Sequence, residues 1–209
     1  ISNVYLSWGW KYPNQKKIKP FFANFKYPKK NLKRIDKIMM VTAIKSKYSN
    51  TLYTGYQSSS WLNYVKFLDL FFQKSSSKIK SNLILKGYTL DYGWDYTKLL
   101  KKYHKEISIY NKNTNFSELV SEYKLNIITY NGTSLLQSLS SGNPTMILWD
   151  SSIWRMSSIS KKYFKLLQDC KILFDDVRKA SIHLDNIYDD IDSWWNQSNL
   201  QKNLKIFND

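Results

Sequence analysis

The residues best suited to chemistry are Asn131, Gly132, Thr133 and Ser134. They stand between an apolar run that begins at Ile127 and Ile128 and a segment in which Leu135, Leu136 and Leu139 recur at helical spacing. Asn131-Gly132 breaks the run as a tight turn, and Thr133 and Ser134 occupy the place of a helix N-cap. A helix that starts directly after a strand presents free backbone N–H groups and the positive end of its dipole, and both favour an anion. The phosphate of a nucleotide is one ligand that fits. An ordinary capped helix in an α/β domain accounts for the same residues. Downstream, Gly142-Asn143-Pro144 ends the helix, residues 145–149 form the next strand, and a polar loop over 150–155 leads into another helix.

The elements that must position these residues alternate along the chain. Residues 38–44 (IMMVTAI) read as a buried strand, apolar on both faces as parallel strands are. A polar loop over 46–60 precedes a helix over 61–73, with Trp61, Val65, Leu68 and Phe72 in one stripe. A strand at 82–85, a loop at 86–95, a helix at 96–104 and a strand at 107–110 follow. Residues 116–123 read as a short helix with Asn115 and Glu118 as a capping box. Further on come a helix over 158–169, a strand over 172–174, a helix over 175–188 entered through acidic residues, and a terminal helix over 193–207. This alternation predicts a doubly wound α/β domain with a mostly parallel sheet. Ligands of such sheets bind at the carboxyl ends of the strands, so the loops 42–60, 86–95, 130–134 and 150–155 are expected to share one edge.

Composition bounds the alternatives. The 209 residues suffice for one good-sized core, and no run is apolar enough to span a bilayer as a helix. No signal-peptide pattern stands at the start, and an opening on Ile1 rather than Met fits a piece of a longer protein. Cys170 is the single cysteine, so no internal disulfide forms, and with His104 and His183 far apart no metal-ligand spacing arises. The net charge of +16 invites a nucleic-acid or membrane partner. Arginine, however, occurs only at 34, 155 and 178, and the lysine excess matches an AT-rich codon bias. The charge is also uneven: residues 11–37 are densely basic, with Pro13, Pro20 and Pro28 marking an irregular connector, whereas 175–192 is rich in acids. The basic stretch suits an anionic lipid surface or an anionic glycan, and a solvated face explains it equally well.

Several segments carry a resemblance. YNGTSLLQSLSSGNPTMILWD resembles the nucleotide-binding signature in the C-terminal domain of GT-B glycosyltransferases. In order along the chain, SWGWK, KGYTLDYGWD, NGTSLLQSLSSGNPTMILWDSSIWR, KKYFKLLQDCKILFDD and NIYDDIDSWWNQSNLQKNLKIF resemble the LIC12162-type family of bacterial surface-polysaccharide transferases. The resemblance implies the Rossmann-like, three-layer donor domain of a two-domain fold, the GT-B C-terminal half. Residues 1–36 would then be a linker and the tail of a largely missing N-terminal domain, 37–192 the nucleotide-sugar-binding domain, and 193–209 a C-terminal helix.

The resemblance further implies that Asn131, Gly132, Thr133 and Ser134 meet the donor's phosphates, with Lys86 and Arg155 as cations beside them. Gln137 stands where related enzymes commonly place a Glu on the ribose hydroxyls, and Gln can still bond a hydroxyl. Asp150, Trp154 and Arg155 match the family's loop after the second core strand, but the acid that usually precedes the Arg is absent. Asp91, Tyr92 and Trp94 offer carboxylate and stacking groups for the base, ribose or sugar. The substrate implied is a nucleotide sugar, with no separate cofactor and no metal, and no catalytic base can be named. A glycan or lipid-linked acceptor, a cytoplasmic location and a peripheral contact with the inner face of an anionic membrane complete the expectation, with no nucleic acid as partner. A basic nucleic-acid-binding protein and a sugar-nucleotide epimerase of related fold are the competing readings.

Overall fold

A computed structural model describes residues 5–7, 18–20, 33–48, 58–88, 90–154 and 156–208. Most of the SWGWK segment, most of the basic stretch 11–37, part of the loop 42–60 and Arg155 lie outside the described residues.

Two three-residue strands, β1 (Tyr5–Ser7) and β2 (Ile18–Pro20), pair in parallel. The main sheet is built from β3 (Ile35–Val41), β4 (Leu83–Lys86), β5 (Ser108–Ile109), β6 (Tyr123–Ile128), β7 (Thr145–Leu148) and β8 (Leu173–Phe174). All neighbours run parallel, in the order β5-β4-β3-β6-β7-β8. Renumbered from one to six along the chain, that order is 3-2-1-4-5-6, the Rossmann arrangement. The two outermost strands, β5 and β8, are only two residues long. Parallel strands need crossovers, and these are helical. They are α1 (Ser58–Lys74) and α2 (Ser77–Ser81) before β4, α3 (Tyr96–Tyr103) before β5, α4 (Phe116–Leu119) before β6, α5 (Thr133–Ser140) before β7 and α6 (Ser158–Asp169) before β8. After β8 come α7 (Val177–Ile187), a 3-10 turn, α8 (Ile191–Trp195) and α9 (Ser198–Asn208). The helix α1 packs on α7, and α9 packs on α5 and α6, closing a three-layer fold.

The apolar runs become strands because both faces are covered. Ile38, Met39, Met40, Leu125, Ile127, Ile128, Met146 and Ile147 are wholly buried, each worth about 1.5–3 kcal/mol on leaving water. On α1, Trp61, Tyr64, Leu68, Phe71 and Phe72 form the buried stripe, while Val65 is only half-buried.

Some boundaries differ from the sequence reading. The strand β3 starts three residues before Ile38, on exposed Ile35 and Asp36, and its register with β6 slips between Ile35 and Ile38. The helix expected to run to residue 123 is the single turn α4, because Tyr123 already belongs to β6. No capping box forms there: the amide of Glu118 bonds the carbonyl of Asn115, whose side chain does not cap. The N-cap of α5 is Gly132 rather than Thr133 or Ser134, since Leu135 N–H closes the first turn on Gly132 O. The terminal helix is broken at residues 196–197. Adjacent Trp194 and Trp195 are both buried, Trp194 beside His183 and Trp195 donating to Gly142 O at 3.0 Å. One continuous helix axis does not continue from there to the position in which Leu200 and Leu204 are buried.

Candidate functional site

The strand order reverses between β3 and β6, so the crevice beyond their carboxyl ends is where this sheet type takes ligands. The helix α5 begins there, and a buried polar chain seats it. Asn126 on β6 donates to Val120 O and to Ser138 Oγ, and Ser138 Oγ lies 2.7 Å from Thr145 Oγ1 on β7. Leu135 and Leu139 supply the apolar contact, and Gly142, at φ +72°, ends the helix in the left-handed conformation that glycine allows.

At the start of α5, Asn131 and Thr133 are exposed, Gly132 is half-buried and Ser134 is buried. Among the described residues, no group accepts from the amides of Gly132, Thr133 and Ser134, and the first turn contains no acid. Tyr130 folds back over this turn, with its hydroxyl 2.7 Å from Ser134 Oγ. A Cβ on Gly132 would come within 2.6 Å of the Tyr130 ring, so glycine is required by that ring rather than by its own extended backbone. Burial raises the Tyr130 pKa against the opposing hydrogen bond with Ser134, and so favours the neutral phenol. Gln137 lies one turn beyond Thr133 on the same face and is half-buried.

The crevice floor is knitted by two further tyrosines. Tyr64 Oη accepts the amide of Ala43 at 2.8 Å and lies 2.6 Å from Thr129 Oγ1. Tyr96 Oη lies 2.7 Å from Thr42 Oγ1 and donates to Ala43 O at 3.2 Å. Burial is the main cause that pushes the Tyr96 pKa up to about 12. Thr129 Oγ1 donates to Val41 O, and Thr42 Oγ1 to Lys86 O, so the ends of β6, β3 and β4 are tied together.

The remaining candidates occupy the same edge in separate places. Lys86 ends β4, 7% exposed; its Nζ donates to Thr114 O at 2.8 Å and lies 4.8 Å from the Tyr110 ring centroid, on the β5 side of the sheet. Burial lowers its pKa. Asp91 turns into its own loop, accepting the amides of Gly93, Trp94 and Asp95 at 2.8–3.0 Å. Trp94 packs against Trp61 at 5.9 Å, and Tyr92 is 44% exposed. Beyond β7, Asp150 accepts from Ser152 N and Oγ, and half-buried Trp154 lies 6.4 Å from Trp149. The loops after β4, β3, β6 and β7 thus share one edge, but the start of α5 gathers only Asn131, Gly132, Thr133, Ser134 and Gln137. An open cleft of about 610 Å³ lies elsewhere, along α3 and β5.

This all-parallel Rossmann-like sheet accompanies a match over residues 1–209 to the model of the LIC12162 family transferases. The chain belongs to that family. No curated protein matches it. Among the described residues of this LIC12162 family transferase, no group of three His, Cys, Asp or Glu could hold a metal ion, and no helix is long and apolar enough to cross a membrane.

Sequence reasoning missed Tyr64, Tyr96 and Tyr130 in the transferase's crevice. Tyr64 and Tyr96 stand in segments read only as helices, and a signal was present: a buried phenol needs a polar partner. The partners lie 21, 65 and 54 positions away, beyond the reach of local patterns.

Proposed function

We propose that this transferase domain is the donor-binding part of a nucleotide-sugar-dependent glycosyltransferase in bacterial surface-polysaccharide synthesis. The observation that carries the reading is the start of α5: amides with no described partner and no acid in the first turn, at the point where the strand order reverses. In this reading the amides of Thr133 and Ser134 receive a donor phosphate, and the Thr133 hydroxyl adds a further donor. The same groups bear the negative charge that grows on the departing nucleoside phosphate as the sugar moves to a glycan or lipid-linked acceptor. Gln137, one turn along, serves the ribose hydroxyls.

Tyr130 refines the picture. Its hydroxyl stands at the rim of this turn on Ser134, placed to donate to an arriving phosphate in exchange for its present bond.

Thermal shift against UDP, TDP, GDP, CMP and a single-stranded oligonucleotide, at low and high salt, tests the reading. A rise with one nucleotide that survives salt is expected, and Thr133→Pro, compatible with the first helical position but lacking the N–H, should abolish it. Stabilisation by the oligonucleotide alone, lost in salt, would overturn it.

A further inference from the structure

The open cleft along α3 and β5, about 610 Å³, carries charge of one sign. Lys98, Lys101 and Lys102 line it from α3, at spacings of three and four that share one helix face, and Lys105 lines it from the turn that follows. Ile109 and Asn111 line it from β5 and just beyond. Among the described residues, no carboxylate and no aromatic ring does so. The acids nearest in sequence have partners: Asp95 pairs with Lys98 at 3.1 Å, and Glu106 with Lys80 at 3.4 Å. Lys101 donates to the carbonyls of Lys105 and Ile107, which fixes one ammonium in place. Lys102 and Lys105 are exposed, and no described acid pairs with either. Like charges gathered without counter-charges repel one another, so an anion that bridges them is attracted by all of them at once.

We propose that this cleft is an anion site of its own, taking a short soluble polyphosphate chain such as inorganic tripolyphosphate. Three features select this ligand. Lysine meets phosphate as a compact point charge, whereas the planar two-pronged grip that matches a carboxylate needs arginine, and none lines the cleft. Without a ring on which a base could stack, the cleft lacks half of what a nucleic-acid single strand uses. Its volume is that of a small-ligand site, and Lys98 and Lys102 start about 6 Å apart along the helix axis, a span that linked phosphates serve better than one. The cleft is separate from the donor turn, because β5 lies three positions from β6 in the sheet, about 14 Å at the usual strand spacing.

Calorimetric titration of the 209-residue chain with sodium tripolyphosphate tests it, in about 0.15 M sodium chloride to screen diffuse attraction to the +16 charge. One equivalent, still taken up by the Thr133→Pro chain that is defective at the donor turn, is expected, with orthophosphate at least about tenfold weaker. Lys102→Gln with Lys105→Gln should weaken tripolyphosphate binding at least about tenfold. Lys161→Gln with Lys162→Gln, the same loss of charge from exposed positions on α6, should leave it unchanged. All four lysines are exposed, so both double variants should keep the native fold, as circular dichroism checks. No binding overturns the proposal, as does an equal loss in both double variants, which would mark attraction to the net charge alone. Loss of binding in Thr133→Pro would place the polyphosphate on the donor turn and overturn it too. A single-stranded oligonucleotide that binds more tightly, and is lost in the Lys102 and Lys105 variant, would make the cleft a nucleic-acid surface instead.

Discussion

Ala43 is held from two sides, its N–H by the Tyr64 hydroxyl and its carbonyl by that of Tyr96. Tyr64→Phe keeps the ring and removes the acceptor, leaving a buried amide without a partner and breaking the tie to Thr129. We expect a loss of about 1–3 kcal/mol, read from the urea midpoint. A second residue-scale prediction concerns His183. Its ring lies 5.2 Å from Phe174 and 5.3 Å from Trp194, and its buried Nε2 has no hydrogen-bond partner among the described residues. Burial, aided by the charge of Lys171, pushes its pKa down to about 4. The unfolded chain takes up this proton near pH 6.5, whereas the folded one resists it until about pH 4. The contribution to stability is therefore complete above about pH 6.5 and is lost as pH falls to about 4, on the order of 1–2 kcal/mol after allowing for partial solvent screening. His183→Phe should remove this part of the pH dependence in unfolding curves taken across that window.

Among the elements, α7 has the clearest single determinant of its start. Asp176 accepts the amides of Arg178 and Lys179, which also hold its carboxyl below the usual range. Asp176→Ala should cost about 1 kcal/mol. The advantage of the native carboxylate is full above about pH 4 and fades as pH drops through its depressed pKa, so the two midpoints should converge in acid.

This helix start was legible because acids at the head of a helix act locally. The strands β4, β7 and β8 and the helices α3, α5 and α6 were legible from similarly local patterns, but of β6 only the end at Ile127 and Ile128 was, because Tyr123 reads as the end of a helix and the residues after it as neither helix nor strand. The beginning of β3 was not, because Asp36 and Lys37 resemble linker, and it is Ile35, paired with Tyr123 of β6 from far along the chain, that carries the strand back past them. The break between α8 and α9 is also a tertiary matter, since it depends on where Gly142 and His183 receive the two tryptophans. At the candidate site, the turn at Asn131-Gly132 and the helix after it were readable. The inward turn of Asp91 and the burial of Lys86 against Tyr110 were not, because residue type does not tell which way a loop side chain faces.

On the scale of the whole molecule, the net charge of +16 opposes compaction. Described ion pairs offset part of it, notably Arg34 with both oxygens of Asp192, which binds the foot of β3 to α8. Raising sodium chloride from low ionic strength to about 0.15 M shortens the reach of like-charge repulsion to about 8 Å. The thermal midpoint should therefore climb with salt rather than fall, as differential scanning calorimetry can check.

The brevity of β5 and β8 has its own consequence. A sheet whose margins stop after two residues gives another copy almost no ladder to extend. A chain so full of tyrosine and isoleucine is thus spared the commonest route by which stacked strands grow into fibrils, and concentrated samples should stay free of cross-β order.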